Sequence, residues 1–99
     1  MNYKYFISQP MNGKTVQEIK EERKFIVNYL ESIGNTVIDS IFDVQCEDEN
    51  DAIKMLGKCI EKIAEADVVF FMHGWNKARG CKIEHEVAVE YNKRIIYMS

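Results

Sequence analysis

His73-Gly74-Trp75-Asn76-Lys77-Ala78-Arg79-Gly80-Cys81-Lys82-Ile83-Glu84-His85-Glu86-Val87-Ala88-Val89-Glu90-Tyr91-Asn92-Lys93-Arg94-Ile95-Ile96-Tyr97 follows an apolar run from Val68 to Met72. The whole reads as a strand end, a polar loop with two glycines, a helix and a second strand. A helix that starts near Cys81 and turns about 100° per residue places Ile83, Val87, Ala88 and Tyr91 on an apolar arc of roughly 140°. Glu84 falls inside that arc, close to its middle, whereas Lys82, His85, Glu86 and Glu90 fall outside it or at its edges. Burial disfavours the charged form of such a carboxylate. The free N–H groups and dipole of a helix start favour the anion, by about 0.3–1 kcal/mol. An acid held ionised but poorly hydrated is suited to act as a nucleophile or to stabilise a cation. The plainer alternatives are an ion pair with a basic neighbour, or a helix that starts two residues elsewhere.

Working backwards, Val68 to Met72 is apolar throughout, which predicts a strand buried on both faces. Ile53, Leu56, Ile60 and Ile63 precede it at helical spacing, with Asn50 or Asp51 as the expected cap. The acidic connection Asp43 to Asp51 matches no calcium loop and lacks its glycine, so it reads as solvated rather than metal-binding. Thr36 to Ile41 is a short strand. Val16, Ile19, Ile26, Val27 and Leu30 form an earlier helix that opens on a Thr15-x-x-Glu18 capping box and closes at Gly34-Asn35. Arg23, in the middle of that stripe, reads as a snorkelling or carboxylate-paired arginine, and less readily as a ligand contact. Tyr3 to Ser8 is the first strand, and Arg94 to Met98 the last.

The order β-α-β-α-β-α-β predicts a single domain over residues 1–99. Its class is α/β, a small doubly wound, flavodoxin-like parallel sheet of four strands with three helices. Ligands of such sheets bind beyond the carboxyl ends of the strands. Those ends carry Ser8, Gln9, Pro10, Met11, Asn12 and Gly13 after the first strand, and His73, Gly74 and Trp75 after the third. Arg79, Gly80, Cys81 and Glu84 open the last helix onto the same edge. Trp75 is expected either to stack on a base or sugar or to cover the edge of the core.

The chain has 99 residues, net charge −3 and 29% charged residues. No basic stripe is present, which argues against a nucleic-acid polymer as partner. No apolar run approaches the ~20 residues that span a bilayer. The first strand leaves no room for a signal peptide, and three cysteines without a CxxC fit a reducing compartment, so the expected location is cytoplasmic. Gly13-Lys14-Thr15 copies the tail of a phosphate-binding loop, but Ser8 stands where that loop needs a glycine. Cys81 and His85, with His73, give too few ligands for a zinc site, and a Cys81 nucleophile with a His85 base is a minor alternative. No metal and no cofactor is expected.

Several stretches together resemble the nucleoside 2-deoxyribosyltransferase superfamily, which includes the 2′-deoxynucleoside 5′-phosphate N-hydrolases. They are Phe6-Ile7-Ser8-Gln9-Pro10-Met11-Asn12-Gly13, Ala66-Asp67-Val68-Val69, Gly80-Cys81-Lys82-Ile83-Glu84, Ala88, and Asn92-Lys93-Arg94-Ile95-Ile96. In that family a glutamate lies four residues past a glycine and eight before an Asn/Gly-Lys turn; Glu84 fits both offsets, whereas Glu86 and Glu90 fit neither. The resemblance implies that Glu84 attacks the anomeric carbon and that a glycosyl-enzyme is resolved by water or another base. It implies that Ser8, Gln9, Asn12 and Gly13 hold sugar and phosphate. Arg79 and Lys82 are candidates to neutralise phosphate.

Two departures stand out. Cys59 occupies the position, eight residues before Asp67, where the family usually places an aspartate that assists the leaving base. Ala78 and Arg79 stand where transferases carry an aspartate ahead of the nucleophile. The expected function is therefore N-glycosidic cleavage or transfer on a small-molecule nucleoside or nucleotide. The alternative is a non-catalytic module that captures a nucleotide-like or ADP-ribose-like molecule. An edge strand and an incomplete pocket point to a homo-oligomer.

Overall fold

The computed structural model describes residues 2–40 and 48–98. Strand and helix alternate: β1 (Lys4–Ser8), α1 (Val16–Ser32), β2 (Thr36–Val37), α2 (Glu49–Glu65), β3 (Val68–Phe71), α3 (Arg79–Glu90) and β4 (Arg94–Tyr97), with a 3-10 turn at Trp75–Lys77 before α3. The four strands are parallel and lie in the order β2-β1-β3-β4. The fold is the α/β, doubly wound, flavodoxin-like sheet expected from the element order. β1 and β3 sit at its centre, and the winding reverses between them. Their last residues lie side by side, Ser8 opposite Phe71, and Phe71 in turn opposite Tyr97 of β4.

Local chemistry accounts for most of the boundaries. Thr15 accepts from the Glu18 amide while the Glu18 side chain accepts from the Thr15 amide, so α1 begins at a complete capping box. It ends at Gly34, whose φ of +91° suits glycine and whose N–H reaches the Glu31 carbonyl. α2 begins earlier than expected: Asp48, two residues before Asn50 and three before Asp51, caps it through the Asp51 amide. Ile53, the fifth residue of the helix, is exposed. β2 covers only Thr36 and Val37 of the expected strand. Its expected end at Ile41, Cys46 and the first half of the acidic connection lie outside the described residues.

The sheet has two unlike faces. Tyr5, Ile7, Val68 and Met72 project to one side, where Ile26 and Leu30 of α1 cover them. Phe6, Val69 and Phe71 project to the other, under Cys59 and Ile63 of α2 and Ala88 of α3. Burying six large apolar side chains on the first face and four on the second, at about 1.5–3 kcal/mol each, is the main stabilising term for a sheet of this size.

The inward stripe of α3 differs from the expected arc. Cys81, Glu84 and Ala88 are the buried residues, whereas Ile83 is 40% exposed and Tyr91 75%. The reason is steric. Cys81 and Ala88, seven residues apart, are small and let the helix settle close to β1 and β3; Ile83 and Tyr91 in their place would hold it away.

Candidate active site at the ends of β1 and β3

Glu84 is 6% exposed and turned toward the end of β1. There the Ser8 hydroxyl, itself buried, donates to its Oε1 at 2.6 Å. This contact is short, as expected for a hydroxyl on a carboxylate. The buried Cys59 thiol, from α2, lies close enough to the same carboxylate to favour its ionised form. Burial is the largest influence on Glu84 and pushes its pKa up to about 6; the Ser8 bond and the nearby Cys59 thiol pull against that rise. No lysine or arginine pairs with it among the described residues. The closed ion pair that would have made Glu84 a structural acid is thus absent there. A neutral pH leaves it mostly ionised yet close to its midpoint, a state open to bond-making with an electron-poor carbon.

The two cysteines at the site behave differently. Burial, reinforced by the neighbouring Glu84 charge, pushes Cys59 up to about 12. Burial likewise pushes Cys81 to about 11, although a bond with Ser8 opposes it. Both remain neutral thiols at physiological pH, so a Cys81 nucleophile is disfavoured. The base proposed for it is also engaged elsewhere: His85 Nε2 shares a 2.6 Å hydrogen bond with the Tyr97 hydroxyl. The described residues hold no cluster of three or more metal-ligating side chains.

The structure brings Ser8, Cys59, Cys81 and Glu84 together and arranges the other expected residues around them. Pro10 and Gly74, from the two strand-end loops, approach each other: a Cβ on Gly74 would lie 3.7 Å from Pro10 Cγ. Gly74 has φ +88° and Gly13 φ +78°, so both turns rely on a residue without a side chain. Asn12, Gly13 and His73 are exposed, and Met11 and Gly80 partly so. Gln9 turns inward under α1, where its Nε2 donates to the Ile19 carbonyl and to Glu22, and its buried Oε1 has no partner among the described residues.

Trp75 stacks on His85 at 4.3 Å and sits within reach of Phe71 and Tyr97, so it covers the core edge beside β4. Arg79 bonds Glu49 of α2 at 2.8 Å on the surface. Arg23 is buried, donates to the Ser40 hydroxyl at 3.4 Å, and has its pKa lowered by desolvation against the opposing charge of Asp39. The place of Cys59 beside Glu84 was signalled in the sequence only by its offset from Asp67.

A parallel sheet with a buried, hydroxyl-bound carboxylate at its central carboxyl edge defines an α/β protein with an acid at the ends of its middle strands. The chain belongs to a family described as a domain of unknown function, DUF4406, whose model matches residues 3–97. No protein of curated function matches the sequence. Among solved structures it is similar to the Clostridium botulinum CMP N-glycosidase BcmB, with 20% identity and a TM-score of 0.62. The similarity covers 95% of this chain and 66% of that one, so the chain spans about two-thirds of the longer protein's length. At that identity the likeness establishes the shared fold.

Proposed function

We propose that the protein cleaves or transfers at the N-glycosidic bond of a nucleoside or nucleotide, with Glu84 as the nucleophile, as in the nucleoside 2-deoxyribosyltransferase superfamily. The observation that carries this reading is the Ser8–Glu84 contact. It holds an unpaired carboxylate, with a pKa raised to about 6, at the carboxyl edge of the central strands. The shared fold with an enzyme described as a CMP N-glycosidase supports the same class of reaction. A Glu84 oxygen attacks the anomeric carbon as the carbon–nitrogen bond breaks, and the bond's electron pair leaves with the base, which takes a proton from water. Water or a second base then displaces the carboxylate from the sugar. Ser8 keeps Glu84 ionised and aimed. The loops at Pro10–Gly13 and His73–Gly74 are the natural seats for sugar and phosphate.

Cys59 favours a second reading. A thiol with a pKa of about 12 is a poor proton donor to a departing base, and lack of a general acid costs roughly 10²–10⁴-fold. The cleft would then bind a nucleotide-like molecule and release it intact. Incubation with CMP, with each deoxynucleoside and with each 5′-monophosphate, followed by chromatography for free base, separates the two. Base release that disappears in Glu84→Gln supports catalysis. Saturable binding with intact ligand recovered supports the binding module. Base release unaffected by Glu84→Gln defeats the assignment of the nucleophile.

A further inference from the structure

Glu84 has unlike surroundings on its two sides. Toward β4, Trp75 stacks on His85 and lies against Phe71 and Tyr97, so that side is filled with rings. Toward β2, two buried side chains have bonding capacity to spare. Arg23 is 4% exposed, yet its one hydrogen bond among the described residues is the 3.4 Å contact to Ser40, and none of the ion pairs there includes it. Gln9 is 5% exposed; its Nε2 is held by the Ile19 carbonyl and Glu22, and its Oε1 has no partner among the described residues. The backbone brings the two to one place. Counting on from the pair Tyr5 and Val37 sets Ser40 level with Ser8, about 4.8 Å away across one strand spacing. The guanidinium that reaches Ser40 is therefore at the height of the Ser8–Glu84 contact. Gln9 follows Ser8 in the chain, and the Ile19 carbonyl it binds is the one that the Arg23 amide faces, one helical turn along α1. Cys59 feels both charges: beyond the effect of burial, Glu84 raises its thiol pKa and Arg23 lowers it.

From this juxtaposition we infer that Arg23 and Gln9 read the base of the ligand, and that the base they select carries a lactam edge, a keto oxygen beside an N–H. The inference rests on the reading of Glu84 proposed above. The guanidinium donates to the keto oxygen, and Gln9 Oε1 accepts from the N–H. A phosphate is the poorer occupant, because Gln9 Oε1 and the Asp39 charge felt at Arg23 would both repel its oxygens. Uracil, thymine, hypoxanthine and guanine offer a lactam edge. Adenine and cytosine present an amino group beside a bare ring nitrogen. With the sugar fixed at Glu84, that exchange sets donor against donor at Arg23 and acceptor against acceptor at Gln9. Gln9 cannot turn its amide over to compensate, because Ile19 and Glu22 hold its Nε2.

Calorimetric dissociation constants for two matched pairs test this, measured on Glu84→Gln so that the ligand stays intact. The pairs are the 5′-monophosphates of deoxyuridine and deoxycytidine, and those of deoxyinosine and deoxyadenosine. The lactam member of each pair is expected to bind about 10-fold tighter or more, since the other leaves buried groups unpaired. Adding Arg23→Lys or Gln9→Met should cut that preference to about threefold or less. Circular dichroism checks the fold of each variant, and the ratio before these additions needs neither. A ratio near one or below in both pairs overturns the proposal, as does a preference that survives both substitutions or a chain that binds none of the four. Selective binding without base release by the wild type defeats the Glu84 chemistry and leaves this assignment standing. Base release without selectivity does the reverse.

Discussion

The two faces of the sheet solve opposite problems with the same kind of strand. The face under α2 and α3 admits polar atoms into the core: Ser8, Cys59, Cys81 and Glu84 are all buried there, and Ser8 donates to Glu84. The face under α1 packs Tyr5, Ile7, Val68 and Met72 against Ile26 and Leu30, has Gln9 and Arg23 as its buried polar side chains, and leaves large apolar side chains outside it. One face stores the cost inside, as a carboxylate that would be more stable neutral. The other carries it on the surface, as area in contact with water. Stability and chemistry are therefore separable across a single layer of strands, and substitutions can address one at a time.

The sharpest way to break this contrast is Glu84→Gln. It should lower base release by about 10³-fold or more. The same change should stabilise the fold. Folded Glu84 has its pKa raised from 4.5 to about 6, so its contribution favours folding below pH 4.5 and is lost as pH rises through 6. At pH 7 the buried charge costs about 2 kcal/mol. Removing it should raise Tm by about 4 °C or more at pH 7 and have little effect near pH 4, as read by thermal melts at both pH values. On the opposite face, Leu30→Ala should lose about 2–5 kcal/mol in a denaturant titration while the folded fraction keeps its activity.

Ser8→Ala sharpens the contrast further. Without the donated bond Glu84 should titrate above 6, moving the rise of activity to higher pH and lowering the rate at pH 7 by about 10–100-fold. A pH–rate profile with an unmoved midpoint would detach Ser8 from the acid. The smallest effect is expected from Thr15→Ala, which removes the α1 cap for about 1 kcal/mol and leaves the pH profile untouched.

Much of this architecture is legible in the chain because it is written in local chemistry. The Thr15–Glu18 box, the glycine at 34 and the fully apolar Val68–Phe71 run each declare their element without reference to anything distant. Glu84 was legible as a buried acid, although only Val87 and Ala88 of the apolar arc inferred around it pack against the core. Counting large apolar residues favoured Ile83 and Tyr91, whereas close packing against the sheet selects the small Cys81 and Ala88. Long-range partners are not encoded by spacing. Ser8 and Glu84 are 76 positions apart, and nothing in the sequence announces that the hydroxyl will meet the acid. The inward turn of Gln9 and the stacking of Trp75 on His85 likewise depend on where helices come to rest, not on the residues beside them.

The parallel register has a mechanical consequence. Ser8, Phe71 and Tyr97 form one row across three strands, and the outer two members each grip a consecutive residue of α3: Ser8 holds Glu84 and Tyr97 holds His85. These anchors stand roughly 10 Å apart, two strand spacings, and pull on helix positions about 100° apart around the axis. A cylinder pinned at two such points can neither roll nor slide without breaking one of them. The aim of the carboxylate is thereby tied to the twist of the sheet itself, and Tyr97, remote from the cleft, becomes one of the two pegs on which its alignment hangs.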